Sequence, residues 1–200
     1  LFKNTWIIFT ADHGEMLGDH HMSQKNLFFE GSAHVPLLIM PPQGRSLPQN
    51  ISVEAPTDLV DLYPTILAMA GLSSPVSVSG RNLLEPVPMD RIFFGNSLNR
   101  NFCVMEEKLK LVYSAVGDHV LLFDLNTDPM EQHNLAEDPA WQERKAKLWK
   151  LLLEHTAQYT PEALDENGQF LTYEAPHFPG DVPGRWFGFH YHDYSVDTFH

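Results

Sequence analysis

Residues 7–40, IIFTADHGEMLGDHHMSQKNLFFEGSAHVPLLIM, concentrate side chains that can do chemistry. Asp12 and His13 end a β-branched run, Asp19, His20 and His21 follow, and Lys25 stands 13 positions after Asp12 (25 − 12). A carboxylate oxygen beside an imidazole nitrogen suits a divalent cation of intermediate hardness; carboxylate also suits Ca2+ or Mg2+. A lysine in the same loop can hold an anion as a point charge. A cation and an ammonium converging on one spot would suit an oxyanion such as a sulfate or phosphate ester. Each part also has a plain structural reading: Asp-His-Gly is often just a turn, a loop lysine is usually solvated, and His20-His21 can be a surface pair.

Those side chains need a scaffold. Residues 5–10 (TWIIFT) and 35–40 (VPLLIM) read as short buried strands, and catalytic loops of open α/β sheets lie beyond the carboxyl ends of such strands. Asp61 reads as a helix N-cap, with Leu62, Ile66, Leu67 and Ala70 as the apolar stripe and Gly71 as the stop. Residues 91–95 (RIFFG) read as a core strand. Residues 102–105, 109–114 and 120–124 read as an antiparallel meander with a tight turn at Gly117-Asp118. Asp138-Pro139 starts a helix to about Tyr159, with Trp141, Leu148, Leu151 and Leu152 on one face. The fold class is therefore α/β: the edge part of a mixed sheet with helices, followed by a small α+β subdomain of antiparallel sheet plus helix. The expected parts are 1–100, 101–160 and an aromatic-rich C-terminal arm, 161–200.

With 200 residues, 43% of them hydrophobic, the chain has material for a sizeable core. Its 26 acidic and 13 basic residues give a net charge of −13. Nucleic acid, whose phosphates attract clustered Lys and Arg, is not an expected partner. No run of about 18 apolar residues occurs, so no membrane-spanning helix is expected. The one cysteine, Cys103, excludes an intrachain disulfide framework. The chain starts at Leu1 almost directly in a strand, which reads as a fragment or processed product, and its localisation is not legible.

Taken whole, the blocks are more specific than their parts. TADHGEMLGDH (10–20), Lys25 and FEGSAHVPL (29–37) closely resemble the second half of the sulfatase family, enzymes of the alkaline-phosphatase-like fold. The resemblance continues through PTDLVDLYPTIL (56–67), Ala70-Gly71 and GRNLL (80–84), then resumes at LFDLNTDPMEQHNL (122–135). It implies sulfate-ester hydrolysis. Asp12 and His13 match two ligands of the family's divalent cation, Ca2+ first, with Mg2+ or Mn2+ as alternatives; many members have Asn at the position of His13. Lys25 matches the lysine that contacts the sulfate and its bridging oxygen, and His20 the residue at the pocket rim. Position 34, often Arg in the family, is His34 here.

The family's nucleophile is a hydrated formylglycine made from Cys or Ser in a Cys/Ser-x-Pro/Ala-x-Arg motif. Cys103-Val104-Met105-Glu106-Glu107 lacks both the Pro/Ala and the Arg, and the serine segments 46–50 and 73–77 lack the Arg. The resemblance thus implies a C-terminal portion whose nucleophile, first acidic ligands and general acid come from an N-terminal part. The segment alone is expected to be inactive. Two other readings stand: a phosphonate monoester or phosphodiester hydrolase of the same fold, and a non-catalytic pseudoenzyme. The Phe187–Asp193 stretch reads as an arm packed on the catalytic domain or on a second subunit, with substrate contact or a His-x-His metal pair as its alternative.

Overall fold

The computed structural model describes residues 3–22, 25, 27–45, 52–75 and 77–174, without the His21 side chain. The 186–200 aromatic and histidine tail and the 46–50 segment lie outside the described residues. In chain order the elements are β1 (Ile7–Thr10), α1 (Glu30–Ala33), β2 (Leu37–Met40), α2 (Leu62–Met69), β3 (Phe93–Ser97), β4 (Asn101–Glu106), β5 (Leu109–Ser114), β6 (His119–Asp124) and α3 (Gln142–Tyr159). The architecture is mixed α/β with antiparallel sheets. Described residues within Leu1–Asp12 and Val35–Arg91 form one compact unit, and those within His13–His34 and Ile92–His200 form the other. The 13–34 loop and β3 pack with the later strands.

In the first unit β1 pairs antiparallel with β2, Ile7 opposite Met40 and Phe9 opposite Leu38. β2 begins at Leu37 because Pro36 has no N–H to give to a ladder. Ile7, Phe9, Leu38 and Met40 lie on one face of this ribbon and are exposed. Asp61 is the N-cap residue of α2, as expected, but its side chain does not cap that helix; a 3-10 turn precedes it with a cap of its own. The cap of that turn is Asp58, whose carboxylate accepts from the Val60 N–H, while the Asp61 carboxylate accepts from the Asp58 N–H at 2.9 Å, closing a capping box. Asp61 is fully buried. It accepts from the Arg81 N–H at 2.7 Å and from Arg91 Nη1 at 2.5 Å, so one carboxylate ties the residues after α2 to its N-terminus. Gly71, at φ +74, ends the helix.

In the second unit β3, β4, β5 and β6 form one antiparallel sheet in that order. β3 pairs with β4, Phe93 opposite Met105 and Ser97 opposite Asn101. Strand residues alternate between faces. Phe102, Val104, Leu111, Tyr113 and Leu122 join Leu148 and Leu152 of α3 in one core cluster. Cys103, Val112, Leu121 and Phe123 pack with Met16, Met22, Leu27 and Phe29 of the 13–34 loop in a second cluster. Both faces are thus covered, and all six residues of β5 are buried. The first residues of the expected arm belong to this unit: Phe170 packs on Phe102 and Tyr113, with ring centroids 4.5 and 4.7 Å away.

Candidate active-site loop

Asp12 stands two positions past the end of β1, and His13 opens the loop that packs on the four-stranded sheet. The loop is closed by its own backbone. Gly14 N–H donates to Ser32 O at 2.7 Å and Glu15 N–H to Gly31 O at 2.9 Å. A Cβ on Gly14 would lie 2.1 Å from the Gly31 carbonyl oxygen, so the glycine after Asp-His is required by this close approach. Gly18 at φ +104 and His20 at φ 51 then turn the chain sharply. The His20 ring stacks on buried Phe29 with centroids 4.1 Å apart, which offsets the left-handed backbone of a non-glycine residue.

Lys25 is exposed, and its Nζ lies 2.7 Å from His13 Nε2. An ammonium can only donate, so Nε2 accepts, and the ring proton sits on Nδ1, 2.7 Å from the Gly14 carbonyl. The main chain of Lys25 is fixed separately: its carbonyl accepts from the Ser32 hydroxyl at 2.5 Å. The structure thus brings His13 and Lys25 together. His20 lies in the same loop, facing Phe29. Among the described residues, no three His, Cys, Asp or Glu side chains gather into a metal cage.

Beneath the loop is a charged cluster that sequence reasoning did not single out. Lys110 of β5, 3% exposed, donates to the Phe28 carbonyl at 2.8 Å, to Glu131 Oε1 at 2.9 Å and to Glu30 Oε1. The other Glu131 oxygen accepts from the Glu30 N–H, the first of α1, at 2.7 Å. Burial opposes the Lys110 charge, but Glu131 and Glu30 outweigh it and raise its pKa. Burial raises the Glu131 carboxyl, against the pull of Lys110. Glu131 has φ +55, made by a turn in which Asp128 accepts from the N–H groups of Gln132 and His133 at 3.0 and 2.8 Å. His34, where the family often has Arg, reaches Glu30 at 2.8 Å. The available signals were a lysine between two leucines in a strong strand, and the acid inside DPMEQ.

Cys103 is buried in β4, and burial pushes its thiol up to about 12, so it is a core residue and no nucleophile. Among the described residues no helix is long and apolar enough to cross a membrane.

The sulfatase family model matches residues 1–72. A choline-sulfatase of Rhizobium meliloti is 36% identical over 177 residues, covering 82% of this chain and 33% of that protein. A sulfatase candidate of Bacteroides thetaiotaomicron shares the fold, with TM-score 0.69 and 22% identity over 92% of this chain and 43% of that one. The phosphonate monoester hydrolase of Agrobacterium radiobacter is 31% identical with TM-score 0.60, over 83% of this chain and 38% of its own. The chain spans between 27% and 33% of the length of the curated relatives compared with it.

Proposed function

Because this chain belongs to the sulfatase family, we propose that it carries the metal-binding and lysine-bearing loop of an enzyme that hydrolyses sulfate esters. It is the C-terminal portion of that enzyme. β1 and β2 form the edge of its larger mixed sheet, and the N-terminal part of the same polypeptide covers the exposed Ile7, Phe9, Leu38 and Met40 face.

Asp12 and His13 hold the divalent cation, Ca2+ first. The donor types fit: Asp12 supplies a carboxylate, and the His13 ring, whose Nδ1 proton is taken by the Gly14 carbonyl, presents Nε2, which here accepts from Lys25 and would exchange that ammonium for the cation. The cation when bound polarises the sulfate oxygens, and the nucleophile, a formylglycine, comes from the N-terminal part. Lys25 holds the anionic sulfate and offsets charge on the departing oxygen. Its ammonium suits this because the Ser32 hydroxyl fixes its main chain while its side chain stays in solvent reach. His20, immobilised on Phe29, lines the rim where the alcohol portion of the ester enters.

The observation that carries the reading is the 2.7 Å pairing of Lys25 with His13. In the full natural polypeptide, Lys25→Ala is expected to lower kcat on an aryl sulfate by roughly a hundredfold with the fold intact; a rate near wild type removes this role. The likeness to a phosphonate monoester hydrolase keeps one other substrate class open. A higher kcat/KM on a phenylphosphonate ester than on the matching aryl sulfate would select that class.

A further inference from the structure

The loop that carries His13 and Lys25 owes its position to groups far along the chain. α1 is one turn long and starts at Glu30. Its first N–H is taken by Glu131, 101 residues later, and the carbonyl just before it, that of Phe28, is taken by Lys110. Lys110 and Glu131 bind each other and have side chains 3% and 2% exposed. From α1 the Ser32 hydroxyl reaches back to the Lys25 carbonyl. A continuous set of contacts therefore runs from Glu131 and Lys110 through α1 to the main chain of Lys25.

Two features argue that this set does more than hold the fold. A buried ion pair is a poor source of stability, because desolvation offsets the attraction, and its best-attested benefit is a unique geometry. Glu131 also occupies a left-handed backbone position, φ +55, that glycine or asparagine fills at lower strain. A glutamate there keeps a carboxylate whose two oxygens serve Lys110 and the Glu30 N–H at once.

We infer that Glu131 and Lys110 are positioning residues for Lys25: they touch no reacting atom, and they set where its ammonium stands relative to the departing oxygen. The inference rests on the assignment of Lys25 to the leaving group. It predicts a particular kinetic signature. An ammonium displaced from the departing oxygen harms esters of poor leaving groups most, since those develop the most charge in the transition state. A merely loosened fold would lower every rate equally.

The test uses the full natural polypeptide with phenyl sulfate (poor leaving group) and 4-nitrophenyl sulfate (good leaving group). Lys25→Ala is the reference, and Glu131→Gln and Glu30→Gln are the probes; Glu30 is partly exposed, so its variant keeps the fold. For Glu131→Gln the expected result is a kcat/KM loss of roughly tenfold or more on phenyl sulfate and a much smaller one on 4-nitrophenyl sulfate. Glu30→Gln should shift the same way by less. Hydrogen exchange should quicken at residues 27–34 while β4 and β5 stay protected. Equal losses on both esters, or unchanged rates in a folded Glu131→Gln enzyme, overturn the inference. If Lys25→Ala itself shows no leaving-group dependence, the assignment of Lys25 falls, and the inference with it. If exchange quickens throughout the sheet, Glu131 is a structural residue only.

Discussion

The two faces of the four-stranded sheet are both buried, yet they are built differently. The α3 face is apolar and aromatic: Phe102, Tyr113, Trp149 and Phe170 pack ring against ring, and Leu111, Leu148 and Leu152 fill the space between. The loop face mixes Met16, Met22 and Phe29 with a lysine and two glutamates. Apolar packing is non-directional and supplies stability in proportion to area. A lysine has fixed donor geometry and must be matched atom by atom when buried. The α3 face can therefore hold the domain together without placing any atom closely, whereas the loop face defines where a particular loop sits.

The largest expected effect separates the faces by stability. Leu111 is fully buried toward α3, so Leu111→Ala should cost about 2–5 kcal/mol in chemical denaturation. The folded variant should keep the wild-type ratio of rates on phenyl and 4-nitrophenyl sulfate. A changed ratio would mean that the α3 face also positions Lys25.

A smaller effect depends on pH. His155 of α3 stacks on Phe94 with centroids 3.9 Å apart, and burial lowers its pKa; burial also lowers that of His119, against the pull of Asp118. A folded pKa below the unfolded value of about 6.5 means the unfolded state binds more protons between the two. Stability should thus be complete above about pH 6.5 and fall as the pH drops toward the folded values. Denaturation midpoints compared at neutral and mildly acid pH will read this slope, and His155→Phe, which keeps a ring against Phe94, should flatten it. An unchanged slope in that variant would clear His155 of the effect.

The smallest expected signal comes from the loop face. Cys103 is 6% exposed under the 13–34 loop. Its thiol should resist alkylation at mildly alkaline pH in the folded protein and react on unfolding. Fast labelling of the folded protein would show that the loop leaves the sheet.

Much of this was legible in the sequence. The meander from 102 to 124 shows as short apolar runs between tight turns, and β5 occupies residues 109–114 as read from them. Asp138-Pro139 starts the last helix, with the Asp138 carboxylate accepting from the Ala140 N–H. His13 and Lys25, 12 residues apart, do meet. Less legible was the 3-10 turn before α2, across which Asp58 and Asp61 share the work of a capping box. That β3 joins the edge beside β4 was not legible, since a strand's own residues say little about which edge it joins.

By itself, then, the sequence determined the strands, the two longer helices α2 and α3, the family, and the loop that bears His13 and Lys25, because local periodicity, turn chemistry and contiguous motifs are written residue by residue. It could not show that Lys110 is buried. In an alternating strand, Leu109, Leu111 and Tyr113 point to one face and Lys110 to the other, and that other face is ordinarily left to water. Whether it meets water depends on the covering loop, which begins 97 residues before Lys110 at His13, and on Glu131, 21 residues after it. Charge matching across such separations is a property of tertiary packing, since it exists only once the loop, α1 and the sheet have closed on one another.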